Sequence, residues 1–177
     1  RDDLTKAAVA ITIVDIQRNP GIHDIRFLES WSGHAAIVLT KRAARLRKHA
    51  GQWALPGGRM ESGESPEETV LRELEEEVGV KLGVDRIIGR LDDYSTRSGF
   101  IITPIVLWGG SDIQLIASPQ EVASIHRIPL IEFMRKDAPI LHHIPESEHP
   151  VLYMPIGNSC IAAPTAAMLY QFREVAM

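Results

Sequence analysis

Short runs of apolar and β-branched residues, separated by turn-forming residues, dominate the hydrophobic pattern of the chain. Such runs are typical of strands, and they predict strands at 9–14, 35–40, 87–91 and 100–108. The segments 16–33 and 135–155 contain proline, glycine, histidine and polar residues without a clear period. We therefore expect these two segments to form loops or short hairpins.

Two segments carry the pattern of amphipathic helices. The first is expected to begin after Ser65, which is a good N-cap, with Pro66 in the first turn and Glu68 completing a capping box. Gly79 is expected to end it. The second helix is predicted over 164–175. Several strands with only two helices favour an α/β (α+β) fold in which a mixed β-sheet is sandwiched between α-helices.

Length and composition narrow the class of protein. A chain of 177 residues with 45% hydrophobic and 24% charged residues is typical of one globular domain, expected over 1–177. The net charge of −4 argues against binding to nucleic acid or to an anionic membrane surface. Since no apolar run is long enough to span a bilayer, we expect a cytoplasmic protein without a membrane partner.

Glutamate is concentrated around the first predicted helix, where only Arg72 balances it: Glu61, Glu64, Glu67, Glu68, Glu73, Glu75, Glu76 and Glu77. Helical spacing places Glu73, Glu76 and Glu77 on one face, which is expected to point outward, away from a core stripe of Leu71, Leu74 and Val78. Carboxylates so close together repel one another unless a cation shares the site. Mg²⁺ or Mn²⁺ is the natural partner, and a solvated acidic face is the alternative.

The spacing of this region follows a longer pattern. Gly58 is followed after five residues by Glu64 and after seven more by the run Arg72-Glu-Leu-Glu-Glu-Glu-Val-Gly-Val80. This resembles the Nudix box, Gly-x5-Glu-x7-Arg-Glu-U-x-Glu-Glu-x-Gly-U, where U is a bulky aliphatic residue, and every specified position matches. The resemblance implies a Nudix fold and a divalent-metal-dependent hydrolase that cleaves a diphosphate linked to another moiety.

The resemblance also implies roles for residues of the box. Glu76 and Glu77 would ligate the metal directly, and Glu73 would be a ligand or the general base that activates water. The backbone carbonyl of Gly58 would reach the metal. Arg72 would belong to the catalytic site by orienting Glu73 or by pairing with Glu64, which is expected to be a structural partner.

The residues before the box resemble the extra signature of the coenzyme A pyrophosphatase subgroup. Leu39-Thr-Lys41-Arg42-Ala43, Arg47, Gly51 and Leu55-Pro-Gly-Gly keep its spacing, with Ala43 replacing serine and Leu55 replacing phenylalanine. The resemblance implies coenzyme A or a derivative as substrate, with 4′-phosphopantetheine and adenosine 3′,5′-bisphosphate as products. Near the end, Ala162 and Ala163 replace the Trp-Gly of this subgroup.

Several residues outside the box are candidates for substrate contact. Lys41, Arg42 and Arg47 belong to a cationic stretch that suits phosphate groups, and Arg42 and Arg47 are expected to bind the 3′-phosphate of coenzyme A. Trp53 is a candidate for lining the pocket or stacking on a base, and packing in the core is the alternative. Glu121 resembles the glutamate that this subgroup supplies from outside the box, and is a candidate catalytic carboxylate.

Two other functions remain open from the sequence. One is hydrolysis of ADP-ribose or another nucleoside diphosphate derivative. The other is a Nudix-like domain that senses a nucleotide without turnover, although every glutamate of the box is present here. The resemblance to the family also suggests a homodimer.

Overall fold

A computed structural model describes residues 4–16, 35–44, 50–145 and 148–177. Within these residues the main sheet contains eight strands. They are β1 (Thr5–Asp15), β2 (Ala35–Arg42), β3 (Trp53–Ala54), β4 (Gly57–Arg59), β5 (Ile87–Arg90), β6 (Tyr94–Ser95), β7 (Phe100–Gly110) and β8 (Val122–Pro129).

The remaining regular elements are a second sheet and the helices. The second sheet contains β9 (Ile140–His142), β10 (Val151–Ile156) and β11 (Ser159–Ala162) in the order β11-β10-β9. The α-helices are α1 (Pro66–Val78), α2 (Leu130–Phe133) and α3 (Thr165–Ala176), and a 3₁₀ turn covers Val84–Arg86. None of the helices in the described ranges combines the length and the apolar character that crossing a bilayer requires.

The main sheet is mixed and is organised around β1. Strand β1 runs parallel to β7 and antiparallel to β2 and β4, while β8 pairs with β2 in antiparallel register. Helix α1 packs on one face of this sheet, and α2, α3 and the second sheet pack on the other. The expected mixed β-sheet between α-helices is confirmed.

Alternation along β1 explains how α1 comes so close to the sheet. Ala8 and Ala10 are completely buried beneath Val70, Leu74 and Val78 of the helix. Their small side chains leave room for the helix backbone to approach. Ile11 points to the opposite face, where it joins a larger core with α3. The helix carrying the acidic residues is therefore held rigidly against the centre of the sheet.

Both ends of α1 form as the sequence predicts. The Oγ of Ser65 accepts a hydrogen bond from the Glu68 amide at 3.2 Å, and the Ser65 amide donates to the Glu68 carboxylate at 2.8 Å, which completes the capping box. Gly79 ends the helix in the left-handed conformation with φ of 70°.

The predicted strands correspond to parts of β1, β2, β5 and β7, and the second predicted helix corresponds to α3. Segment 135–155, expected to form loops or short hairpins, contains β9 and most of β10, which pair in antiparallel register. The sequence did not predict the short strands β3, β4, β6 and β11 or the longer strand β8. Strand β8 depends on β2, a partner distant in sequence, rather than on a strong local pattern. Residues 17–33 of the other expected loop lie outside the described residues.

Candidate active site

The loop before α1 brings backbone directly against the acidic flank of the helix. The Gly57 amide donates a hydrogen bond to Oε2 of Glu77 at 3.0 Å. A Cβ on Gly58 would collide with the carboxylate of Glu73, and a Cβ on Gly57 would collide with the carbonyl oxygen of Ala8. Two consecutive glycines are thus required by the close approach of β4 to both the helix and β1.

Because β4 lies so close to α1, the acidic side chains are oriented differently from the sequence prediction. The sequence predicted that Glu73, Glu76 and Glu77 point outward together, and this was wrong. Glu73 is 8% exposed and Glu77 is 5% exposed, whereas the side chain of Glu76 is 55% exposed. Glu73 and Glu77 lie one helical turn apart beside the Leu74–Val78 stripe, and β4 covers them. Glu76 lies farther around the helix, beyond this cover.

A carboxylate from another element completes the cluster. Among the described residues, Glu73, Glu77 and Glu121 each offer a carboxylate oxygen, and these oxygens lie within 4.8 Å of one another. We refer to these three residues as the carboxylate cluster. Glu76, which the sequence placed among the metal ligands, is not part of this cluster, and its Oε2 accepts a hydrogen bond from Arg72. The structure therefore brings together Glu121 and two of the three box glutamates that were expected to share one face.

The position of Glu121 follows from the way α1 ends. The last carbonyl groups of a helix need donors from elsewhere. The Ser118 amide donates to the Glu77 carbonyl and the Ile116 amide donates to the Val78 carbonyl, each at 2.9 Å. In addition, the Ala43 amide donates to the Glu121 carbonyl at 2.9 Å. These contacts hold the segment before β8 beside the helix, so Glu121 reaches the same point as Glu77.

Burial and repulsion raise the pKa values of the two buried members of the carboxylate cluster. The pKa of Glu77 is raised to about 8, chiefly by removal from water and also by the charges of Glu73 and Glu121, while the hydrogen bond from Gly57 opposes the rise. The pKa of Glu73 is also raised, chiefly by burial, although Arg72 opposes this. Without a cation, the cluster therefore resists carrying three negative charges at neutral pH.

Arg72 connects the carboxylate cluster to Glu64, which lies before α1. Its Nε donates to Oε1 of Glu64 at 2.7 Å, and one terminal nitrogen donates to Oε2 of Glu64 at 3.0 Å, forming a bidentate pair. The second terminal nitrogen donates to Glu73 at 2.9 Å and to Glu76 at 3.2 Å. The carbonyl of Arg59 also accepts from this guanidinium. Arg72 thus contacts both residues for which the sequence offered it as a partner.

Glu64 is held in the opposite electrostatic state from Glu77. Its carboxylate accepts from Arg72, from the Glu61 amide and from the Thr69 hydroxyl. Hydrogen bonding to Arg72 is the largest cause that lowers the pKa of Glu64 to about 2. This residue is therefore ionised and fully engaged with protein groups.

The donor set of the carboxylate cluster fits a hard divalent cation. Such ions prefer oxygen ligands, and Mg²⁺ in particular binds through a few carboxylates while retaining water. A cation would also offset the repulsion and the burial that raise the pKa values of Glu73 and Glu77. Gly58 lies directly beside the Glu73 carboxylate, where its backbone is close to the same point.

The candidate substrate-binding residues fall on different sides of the sheet. Arg42 is the cross-strand partner of Val122, the residue after Glu121, and its charge is one of the causes that lower the pKa of Glu77. Its Nε is buried and has no hydrogen-bond partner among the described residues. The Lys41 Nζ instead lies 4.7 Å from the centre of the Trp53 ring. Arg47 lies outside the described residues.

Trp53 does not present a ring that is open for stacking, and of the two roles that the sequence left open the structure favours core packing. It is only 8% exposed, and Lys41 lies over its ring. Its Nε1 donates to Oγ of Ser159 at 2.9 Å, and the ring of His126 packs against it in an edge arrangement. The indole is buried because β11 of the second sheet packs against β3. Its role is therefore packing between the sheets.

Sequence reasoning missed a polar group beside Lys41. The Oγ of Ser124 and Nε2 of His126 are 2.7 Å apart on β8, and both residues are half-buried. The signal was present, because Ser124 and His126 are two residues apart and so share one face of a strand. It became visible only with the assignment of β8.

The chain is similar to a family model, to curated relatives and to solved structures. The family model described as NUDIX domain matches residues 27–144. Curated relatives include the uncharacterized Nudix hydrolase NudL of Yersinia enterocolitica, 42% identical over 100 residues, covering 56% of this chain and 51% of that protein. NudL of Yersinia pestis is 42% identical over 97 residues, covering 54% and 49%. The chain spans about half the length of the curated relatives it matches.

Solved structures are similar over nearly the whole chain. The Nudix hydrolase RenU from M. smegmatis has a TM-score of 0.61 and 19% identity, covering 97% of this chain and 84% of that one. The NUDIX domain of Shewanella oneidensis NrtR, complexed with ADP ribose, has a TM-score of 0.58 and 18% identity, covering 97% and 87%. At these identities the likeness concerns the fold.

Proposed function

The chain belongs to the Nudix hydrolase family, and from this premise we propose that it hydrolyses the diphosphate linkage of a small nucleoside diphosphate derivative. The observation that carries the proposal is the convergence of Glu73, Glu77 and Glu121, whose oxygens lie within 4.8 Å of one another. A purely structural acidic face would leave these side chains in water, whereas Glu73 and Glu77 are buried.

Nudix hydrolases generally use divalent metals, and we propose Mg²⁺ or Mn²⁺ here. Glu73, Glu77 and Glu121 would hold the ion, together with the backbone carbonyl of Gly58. When bound, such an ion lowers the pKa of water and neutralises charge on phosphoryl oxygens. The donor set consists of oxygen atoms alone, which supports this choice of ion.

The protein's own groups prepare the carboxylates for this task. Arg72 fixes Glu73 through a hydrogen bond of 2.9 Å, and the Gly57 amide fixes Oε2 of Glu77. Both contacts reduce the freedom of side chains that must meet at one point. Glu121 is exposed, so its carboxylate can meet water directly. We assign Glu121 as the group that accepts the proton of the attacking water. The water oxygen bonds to one phosphorus of the diphosphate, the bridging P–O bond breaks, and the other phosphate leaves with the bridging oxygen.

We propose coenzyme A or a derivative as the substrate, with 4′-phosphopantetheine and adenosine 3′,5′-bisphosphate as products. The support is the resemblance of the segment from Leu39 to Gly58 to the coenzyme A pyrophosphatase signature. The position of Arg42 as the cross-strand partner of Val122, the residue after Glu121, suits the charge of a diphosphate beside the carboxylate cluster. This placement differs from the 3′-phosphate role that the sequence suggested for Arg42.

ADP-ribose is the second candidate substrate. The observation that favours it is the likeness of the fold to the NrtR domain complexed with ADP ribose. The departures at Ala43, Leu55, Ala162 and Ala163 from the coenzyme A pattern also keep this candidate in the test. Ala43 and Leu55 are buried, so they affect the pocket through packing rather than by touching a ligand.

Product analysis tests the proposal directly. The protein is incubated with Mg²⁺ or Mn²⁺ and, separately, coenzyme A, dephospho-coenzyme A, ADP-ribose, NADH and a dinucleoside polyphosphate, and the products are identified by mass spectrometry. Preferred formation of 4′-phosphopantetheine supports coenzyme A as the substrate. Preferred cleavage of ADP-ribose retains the chemistry and replaces the substrate.

A matched pair of variants separates the site from the helix that carries it. Glu77→Gln removes one member of the carboxylate cluster, and Glu75→Gln removes an exposed glutamate of the same helix that lies outside it. Only the first should abolish turnover. If the wild-type protein cleaves none of the compounds with either ion, the hydrolase proposal fails and nucleotide sensing becomes the better explanation.

A further inference from the structure

Two adjacent cations of β2 are divided between the two faces of the main sheet. Successive side chains of a strand point to opposite faces. Arg42 faces the α1 side and is the cross-strand partner of Val122, the residue after Glu121 of the carboxylate cluster. Lys41 lies on the other side, where Trp53 joins the core formed with α3 and the second sheet. The two cations therefore serve different surroundings although they are neighbours in sequence.

Lys41 has polar neighbours but no carboxylate partner within the described parts of the chain. Ser124 is its cross-strand partner on β8, and the Ser124 Oγ lies 2.7 Å from Nε2 of His126. The His126 ring packs 4.9 Å from the Trp53 ring. No ion pair within 4.0 Å involves Lys41 among the described residues, although its side chain is half-buried.

This arrangement suits a bound anion. An ammonium group has three hydrogens to donate. The face of an indole attracts the positive charge but does not accept all three hydrogen bonds, so the ammonium can still donate to an anion. The Ser124 hydroxyl and the His126 imidazole beside it share one hydrogen between them, so this pair has one further hydrogen to donate. The ammonium group and this donor, at a half-buried position, are complementary to the oxygens of a phosphate monoester.

The position of this group relates it to the carboxylate cluster. Arg42 is the last residue of β2, and Glu121 directly precedes β8, so both sites meet at the same end of the sheet. With a rise of about 3.3 Å per residue, Ser124 lies roughly 10 Å along the strand from Glu121. One nucleotide lying across this end of the sheet can reach both places.

We propose that Lys41, Ser124 and His126 form an anion subsite that binds a phosphate monoester on the part of the substrate beyond the diphosphate. The inference rests on the proposed function, because it assigns the subsite to the same substrate. It makes Lys41 a specificity-determining residue, while Arg42 serves the diphosphate. Trp53 contacts the Lys41 ammonium with the face of its ring and does not stack on the ligand.

Binding measurements test the subsite without any need for turnover. Isothermal titration calorimetry compares AMP with adenosine 3′,5′-bisphosphate and adenosine 2′,5′-bisphosphate, which differ from AMP by one phosphate. The wild-type protein should bind at least one bisphosphate roughly tenfold more tightly than AMP, as expected for a charge-assisted contact. Lys41→Gln should reduce that ratio to within about twofold while AMP affinity is retained.

Controls distinguish a subsite from a general effect of charge. Lys41→Arg should restore most of the preference, and Lys81→Gln, at an exposed lysine elsewhere, should leave it unchanged. Near-ultraviolet circular dichroism of Trp53 and the other aromatic residues checks that each variant is folded. Equal affinity of the wild-type protein for AMP and both bisphosphates, or a preference that survives in Lys41→Gln, would overturn the proposal.

Turnover gives a second and separate readout. The kcat/KM ratios for coenzyme A against dephospho-coenzyme A, and for NADPH against NADH, should fall in Lys41→Gln through loss on the phosphorylated member alone. Equal losses on both members of each pair would contradict the subsite. Failure of the wild-type protein to cleave any of the four would refute the proposed hydrolysis, and the calorimetry would still decide whether the subsite exists.

Discussion

Glu64 precedes α1, Glu77 lies in its last turn and both belong to the same sequence motif, yet the structure gives them opposite environments. Glu64 forms a bidentate pair with Arg72, and its pKa is lowered to about 2. Glu77 receives one backbone hydrogen bond, lies close to two other carboxylates, and has its pKa raised to about 8. The charge of Glu64 is balanced by a protein group, whereas the positive charge that would balance Glu77 must come from a bound cation.

The difference separates two uses of the same side chain. A carboxylate whose charge is matched by arginine stabilises the fold, while buried carboxylates held together against repulsion store affinity for a cation. Arg72 links the two environments, because the guanidinium that neutralises Glu64 also holds Glu73 of the carboxylate cluster. The ion pair between Arg72 and Glu64 therefore helps to position Glu73 in the carboxylate cluster.

The largest expected effect is on turnover. Glu77→Gln should reduce kcat/KM by roughly a thousandfold, about 4 kcal/mol of transition-state stabilisation, because a ligand of the proposed metal is lost. The metal-free protein should remain folded, since glutamine replaces a carboxyl whose raised pKa already favours its neutral form. Kinetics and thermal unfolding measure the two effects. Turnover within a few-fold of the wild-type value would refute the assignment of Glu77.

The next effect concerns metal addition and stability. Mg²⁺ or Mn²⁺ at a hundred times its Kd should stabilise the wild-type protein by about 2.7 kcal/mol, because the ion binds the folded state. The rise in Tm should disappear in Glu77→Gln and persist in Glu75→Gln. Differential scanning calorimetry with and without the ion makes the comparison. An equal rise in both variants would place the ion elsewhere.

Glu64→Gln should weaken the fold rather than the chemistry of the carboxylate cluster. We expect a loss of about 1–3 kcal/mol in the free energy of unfolding at pH 7, because Arg72 loses a charged partner. The folded pKa of Glu64 is lowered, so its stabilising effect is complete above its unfolded pKa, near 4.5, and disappears as the pH falls toward 2. Urea unfolding from pH 7 to pH 2 should show the two proteins converging. A constant difference would argue against the ion pair.

The smallest effect should come from Glu76, which the sequence grouped with the metal ligands. Glu76→Gln is expected to reduce kcat/KM by no more than about tenfold, or 1.4 kcal/mol, because this exposed side chain contacts Arg72 and not the carboxylate cluster. Steady-state kinetics beside Glu77→Gln provide the test. Comparable losses in the two variants would return Glu76 to the ligand set.

The sequence predicted well the features that depend on local chemistry. The capping box at Ser65, the stop at Gly79 and the apolar runs of β1, β2, β5 and β7 all form where expected. Each of these follows from neighbouring residues and the period of one element. The fold class was predicted from these local features together with the match of the chain to the Nudix pattern.

The features that the sequence mispredicted or left open depend on contacts between distant segments. Helical spacing alone gives no reason to separate Glu76 from Glu73 and Glu77, because only the β4 loop decides which flank of α1 is covered. Burial of Trp53 depends on Ser159, which lies more than a hundred residues away in sequence. Such choices are fixed by packing, and a local pattern does not contain them.

The amides of Ile116 and Ser118, which cap the end of α1, tie the geometry of the carboxylate cluster to a local equilibrium. If this segment opens, Glu121 leaves the cluster while the helix and the sheet remain intact. Segments of this kind open with free energies smaller than that of global unfolding. Hydrogen exchange at these two amides therefore measures the fraction of molecules with a complete cluster, and that fraction sets an upper limit on activity.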